Sequence, residues 1–411
     1  MASYTLKYQL ATLVVSALSS TNVGVLAKEE VFLRAGRLKE FSDPKLEQLK
    51  NGSNSIMECT PELVAAISEQ MPYNRCPENE VPCVSHCIET VCPEASWLER
   101  YYSEVVPQLP LTPFVGLSVG CNKGLDAVDT LRMGSNNPRF TKEEWRDAMF
   151  GDDIMSRFNS GACNQGSGPT FPLTVSNTIQ RQAVMHCIEP VPATVERLQS
   201  SAQSLGWDTS DQRLVISPFA ISKQDDSGLY FPTNAEPGKE TLSFAHCVNP
   251  LLRDHFGCKQ VPVYSLDTYG SEFMIDELSN QDQNINVLNV DAEGYDFDIL
   301  QGGHTMLSRA EYLEFEFHRY GQWKEQSLKD AVDMLDNIGF TCYWAGKGKL
   351  WRMTGQNCFL DHYETKCWSN VACANRKLVP KLLDIMEETF MKTIQDKTYE
   401  LVLRPKVKPS V

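Results

Sequence analysis

The segment INVLNVDAEGYDFDILQGG, residues 285–303, carries two carboxylates, Asp291 and Glu293, at the end of an apolar run. Acids crowded this closely cost free energy unless something cationic or hydrogen-bonding sits between them. Successive residues of an extended chain point to opposite sides, so positions two apart share one. If the strand continues to Glu293, both acids overhang the space beyond it. Asp291 then orients or deprotonates a reacting group there, and Glu293 either assists or places its charge at the start of the helix opening at YDFD. His318, which closes EYLEFEFH, is the other candidate base. A lone histidine after a strand is more often structural.

These residues need a scaffold that ends several strands at one place. FVGLSVGCNKG reads as a strand and a tight turn, followed by a helix at LDAVDTLRMG. AVMHCIEP is a strand ending in Glu189, with an amphipathic helix after it. RLVISPFAIS, VPVYSLDTY, INVLNVD, EYLEFEFH and FTCYWAG read as further strands, and SLKDAVDMLDNIG as a helix stopped by Gly339. Such alternation predicts a mostly parallel sheet with helices on both faces, and ligands beyond the carboxyl ends of the strands. Gly120 and Gly124 flank the first turn, where glycines admit a ligand close to the backbone. Neither a G-x-G-x-x-G pattern nor the Walker lysine–serine pair is present, so phosphate cradling is poorly supported. Glu189 at a strand end can accept hydrogen bonds from both hydroxyls of a ribose. An acid-rich set of strand tips, with Arg319 its one arginine, suits a cationic sulfonium better than a ligand bearing two phosphates.

The chain has 411 residues and a formal charge of −15, a field that repels nucleic acid. Residues 1–27 have the pattern of a secretory signal peptide, with a signal anchor as the alternative; no other segment approaches a membrane span. Fourteen cysteines and the sequon at Asn51 agree with an oxidising compartment, the ER or Golgi lumen or the extracellular space. The cluster Cys76, Cys83, Cys87 and Cys92 lacks paired C-x-x-C knuckles, so disulfides explain it better than zinc. Cys342, Cys358, Cys367 and Cys373 are expected to staple the C-terminal segment. Cys121, in the first turn, and Cys187, in a buried strand, are expected to stay free thiols, with the disulfides mostly outside the sheet. The domain plan is a signal peptide (1–27), a Cys-rich region (28–107), a catalytic domain (108–352) with an irregular insertion at about 135–180, and a Cys-containing extension (353–411).

The motifs GLSVGCNKG, CIEPVPATVERL, ISPFAIS, YSLDTY, VLNVDAEGYDFDILQGG and LEFEFH resemble, in that order, those of the FkbM-type methyltransferases. The resemblance implies a Rossmann-like class I methyltransferase sheet, S-adenosylmethionine as cofactor, and O-methylation of a glycan or small-molecule hydroxyl. It carries cofactor roles onto Gly120, Asn122, Gly124 and Glu189 and an active-site role onto Asp291 and Glu293; Ser118, Pro190, Phe219 and Ala220 complete the expected cofactor set, and His318 the catalytic one. No metal ligand is assigned, and dependence on a divalent metal is left open. Ser118 stands where the family usually has an acid, and the insertion is longer than usual. Two alternatives remain: an NAD-dependent oxidoreductase on the same sheet, and a secreted binding protein descended from a methyltransferase.

Overall fold

The computed structural model describes residues 58–70, 87–90, 95–151, 173, 180–209, 211–238, 245–280, 282–366, 368–396 and 403–404. The expected signal sequence, Asn51, Cys76, Cys83, Cys92, Cys163, Cys367 and most of the expected insertion lie outside them.

The strands are β1 (Cys87–Thr90), β2 (Phe114–Val119), β3 (Ala183–Ile188), β4 (Gln212–Ser217), β5 (Ala220–Ser222), β6 (Asp226–Pro232), β7 (Cys258–Ser265), β8 (Ile285–Val290), β9 (Ala310–His318), β10 (Phe340–Gly346), β11 (Lys349–Arg352), β12 (Trp368–Asn375) and β13 (Leu403–Arg404). The main sheet runs β11-β10-β12-β9-β8-β2-β3-β4, with β1 pairing with β12 and β13. Neighbours from β9 to β4 are parallel, whereas β12 is antiparallel to both β9 and β10. With helices packed against this sheet, the expected Rossmann-like α/β architecture is present.

Why these residues form these strands follows from their burial. Every side chain of FVGLSV in β2 is buried, as a parallel strand covered on both faces requires. Thr141 opens the helix Lys142–Phe150 by accepting from the Glu144 N–H, and Ser327 opens Leu328–Ile338 by accepting from that of Asp330. Gly339, at φ 118°, ends the second of these.

Four expectations need correction. The sheet does not end with residue 352, where the expected catalytic domain stops, because β12 lies between β9 and β10. The short strand VPVYSLDTY does not join that sheet: β7 forms a separate three-stranded sheet with β5 and β6, and LDTYGSEF is a helix. RLVISPFAIS is two strands, broken at Pro218 and shared between the two sheets. The described residues before 108 are not separate either, since Ile67, Trp97, Leu98 and Tyr101 join the same hydrophobic core as the sheet.

The disulfides depart further from expectation. Cys121 and Cys187 are bonded to each other rather than free. Cys342 and Cys373 bridge β10 and β12 at directly opposed positions inside the sheet. Cys59–Cys358 joins sequence 299 residues apart, and Cys247–Cys258 closes an 11-residue separation beside β7. A cysteine on a buried strand is chemically a small apolar residue, so burial by itself does not distinguish a thiol from half of a bridge. What decides is the residue facing it: Cα atoms 5.3 Å apart bring Cys121 and Cys187 within bonding reach.

Candidate active site

After β2 the chain turns through three left-handed residues, Gly120 (φ 79°), Asn122 (φ 46°) and Gly124 (φ 72°). Gly120 is demanded by packing within the protein. A Cβ there would lie 1.7 Å from the Asp291 carbonyl oxygen, an impossible contact. The turn is hydrogen-bonded to β3, since the N–H groups of Gly120 and Cys121 donate to the Ile188 carbonyl at 3.0 and 3.1 Å. The disulfide reinforces the same join. On the other side, Asp291 N–H donates to the Val119 carbonyl at 2.9 Å. One backbone turn therefore sits between the carboxyl ends of β3 and β8.

Glu189 is 5% exposed, and each of its oxygens accepts a backbone N–H at 2.9 Å, one from Asn122 and one from Val191. Burial pushes its carboxyl up to about 7, and the two N–H donors oppose that rise. A carboxylate has about four acceptor sites, so two remain for ligand hydroxyls. Pro190 follows at the start of the next helix. Ser118 lies two residues before Gly120 inside β2, buried and in register with Cys187 and Asn289, so its hydroxyl is within the strand rather than at its tip. Phe219 and Ala220 continue from β4; Phe219 packs edge-on against Tyr264 at 5.0 Å, and Ala220 opens β5.

Asp291 and Glu293 do not both overhang as strand residues. β8 stops at Val290, and Glu293 takes φ 52° in a turn completed by Gly294 at φ 95°. The side-sharing rule for extended chain does not reach it. Nor does Glu293 cap the following helix, whose N-cap position is Tyr295. The loop is tied instead by Asp296, which accepts from the N–H groups of Ala292 (3.4 Å) and Gly294 (3.1 Å) and from Trp323 Nε1 (3.3 Å). Burial holds the Asp296 carboxyl up at about 6.

The partner of Asp291 is Glu316. Val290 pairs with Phe315, so Asp291 and Glu316 are the next positions on two parallel strands. Both carboxyls are raised by burial first, Asp291 well above the usual range and Glu316 to about 8, and the charge of Glu316 adds to the rise at Asp291. The charges of Glu293 and Asp296 raise both further. Two carboxyls at neighbouring strand ends can hydrogen-bond to each other only with a proton between them. Trp368 Nε1 donates to Glu316 Oε1 at 3.1 Å from the antiparallel strand β12.

His318 is completely buried, and its Nδ1 accepts from the Tyr320 N–H at 3.1 Å. That bond leaves the proton of the neutral ring on Nε2, which lies 3.7 Å from Glu316 Oε2 and has no hydrogen-bond partner. Burial first, and then the charge of Arg319, lowers the imidazole to about 4. In this setting His318 offers a donor towards Glu316 and has no free lone pair with which to take a proton.

The structure therefore gathers Gly120, Asn122, Gly124 and Glu189 at one turn, with Asp291 packed on it and His318 reaching towards Asp291's partner. Glu316 and Trp368 were not assigned from sequence. The alternation EFEFH places Glu316 and His318 on one face of β9, a signal that was available; Trp368 gave none, because antiparallel insertion of a late strand has no local signature. Among the described residues, no group of three or more His, Cys, Asp or Glu side chains is arranged to hold a metal ion, and no helix is long and apolar enough to cross a membrane.

The site thus holds Glu189 with acceptor capacity left on its oxygens beside the turn, and Asp291, Glu293, Asp296 and Glu316 gathered at the end of β8 and β9. Residues 160–342 match the family model described as methyltransferase FkbM domain, a segment that includes Glu189, Asp291, Glu293, Glu316 and His318 but starts after the turn at Gly120. No curated protein matches. A crystal structure of methyltransferase FkbM from Methylobacillus flagellatus KT is similar at 10% identity and a TM-score of 0.29, over 66% of this chain and 47% of that one. This chain thus spans about half the length of that protein. Residues 160–342, a little under half of this chain, are thus similar to the FkbM methyltransferase domain.

Proposed function

We propose that the protein is an S-adenosylmethionine-dependent methyltransferase that methylates a hydroxyl of a glycan or small molecule in the secretory pathway. The observation that carries this reading is the join at the first turn, where Asn122 N–H is bonded to Glu189 and Gly120 is pressed against the backbone of Asp291. An acid at the ribose position and an acid at the reacting position are thereby held at fixed separation by one turn. The cofactor, when bound, supplies a methyl group activated by a positively charged sulfur.

The residues of the chain do the rest. Glu189 and the Asn122 turn hold the ribose. Asp291 orients the acceptor hydroxyl and receives its proton as the oxygen attacks. Most of the acceleration comes from positioning and water exclusion, with proton transfer adding about 10²–10⁴-fold. His318 serves as a hydrogen-bond donor. The secretory setting is supported by the N-terminal pattern and by disulfides built into the sheet. No metal is given a role.

The test is calorimetric titration with S-adenosylmethionine, followed by transfer of an isotope-labelled methyl group to a panel of glycans and hydroxylated small molecules. Binding with methyl-ether formation supports the proposal. A folded protein that binds no S-adenosylmethionine would instead be a binding protein descended from a methyltransferase.

A further inference from the structure

β9 and β12 carry polar groups that the reaction above does not use. Glu316 is 8% exposed and stands beside Asp291 at the position after the Val290–Phe315 pair, with Trp368 of β12 and the unpartnered Nε2–H of buried His318 also facing it. Donors therefore approach both of its oxygens, Trp368 Nε1 at Oε1 and His318 Nε2 at Oε2. Asp291 has no such donors among its described hydrogen bonds, while the negative charges of Glu293 and Asp296 bear on both acids. Arg319 is the cation next to His318 on the same chain segment. Donors stabilise a carboxylate and nearby acids destabilise one.

We infer that Asp291 and Glu316 act as one acid–base unit sharing a single proton, with the proton residing on Asp291 and Glu316 as the carboxylate. This inference rests on the methyltransferase reading and extends it to a residue outside the expected catalytic set. During transfer, the acceptor O–H bond breaks as oxygen forms its bond to the methyl carbon, and the carbon–sulfur bond breaks to leave a neutral thioether. The released proton enters the unit, which passes from one proton to two and later returns one to water. Asp291, facing the acceptor, takes that proton as its own moves to Glu316. Trp368 and His318 are positioning residues, because they act through Glu316.

Two measurements test the unit separately from the reading it rests on. The first needs neither cofactor nor acceptor: carboxyl-carbon NMR of Asp- and Glu-labelled protein across the pH range. Asp291 and Glu316 should titrate as a linked pair, with one proton retained above neutrality. Glu316→Gln should bring Asp291 back to a single step, and Trp368→Phe should raise the upper step, since the lost donor favours the carboxylate. Independent titration of the two acids in the ordinary carboxylate range overturns the inference.

The second measurement uses any acceptor that the labelled-methyl panel identifies. Glu316→Gln should lower kcat about 10²–10⁴-fold, the general-base range, with S-adenosylmethionine affinity unchanged. Normal turnover in that variant overturns the inference while leaving the methyltransferase reading intact. Failure of the wild-type protein to bind S-adenosylmethionine removes the reading, and the NMR titration still decides whether the proton is shared.

Discussion

Glu189 accepts two backbone N–H bonds and is nearly inaccessible, so its side chain serves the turn as well as any ligand. Glu189→Ala should abolish measurable S-adenosylmethionine binding, a loss of about 2–4 kcal/mol if both ribose hydroxyls bond to the carboxylate. Unchanged affinity by calorimetry removes the ribose assignment. Asp291→Asn should reduce turnover by about two to four orders of magnitude with much less effect on cofactor affinity. The buried acids also set the pH response of the fold. Glu189 and Glu314 are raised to about 7 and Glu316 to about 8, from 4.5 in the unfolded chain. Between those limits the native state binds more protons than the unfolded state, so stability falls as pH rises. Their contribution is full below the unfolded value and is lost through pH 7–8. The melting temperature should drop between about pH 5.5 and 8.5, and drop less in Glu314→Gln, which has no carboxyl to ionise. A melting temperature that climbs over this interval contradicts the account.

At the scale of elements, the strands ending at Ile188, Val290 and His318 were legible because each is a compact apolar or alternating run ending in a polar residue. What sequence could not give was the exit geometry of β8. The extended-chain rule carried Glu293 one turn too far, because Gly294 and Asp296 reverse the chain immediately after Asp291. The glycine turn was legible for position and misread for cause. Its first glycine is required by the Asp291 carbonyl, a contact between segments about 170 residues apart in sequence. Substitution separates these causes. Gly206 is also left-handed, at φ 64°, but a Cβ there meets nothing within 4 Å. Gly206→Ala should cost about 1–2 kcal/mol of conformational strain. Gly120→Ala adds a backbone clash and should cost more than about 4 kcal/mol, read by chemical denaturation.

Across the whole molecule, the parallel half of the sheet was legible because strand and helix alternate along the chain. The antiparallel half was not. β12 pairs with β9 along its whole length from Trp368–His318 to Ala374–Tyr312, yet nothing in WSNVACAN announces where it inserts. The C-terminal residues read as an appendage are thus a central strand. A chain ending at Arg352 would expose the facing edges of β9 and β10, and would lose Trp368 from Glu316. It should fail to fold cooperatively, giving no sharp thermal transition and rapid proteolysis. A sharp transition in that truncated chain contradicts a central role for β12.

The bridge between Cys121 and Cys187 ties the turn to the strand that bears Glu189. Its two halves are 66 residues apart, so closing it removes about 4 kcal/mol of chain entropy from the unfolded state. A copy made in a reducing cytosol would have the same sequence and sheet, but only hydrogen bonds to hold that turn. Affinity for S-adenosylmethionine should therefore fall on mild reduction before the melting temperature does. Completion of the site becomes a step in the protein's biogenesis. On the proposed secretory reading, synthesis alone would leave the chain quiescent, and oxidative maturation in a lumen would license it to act.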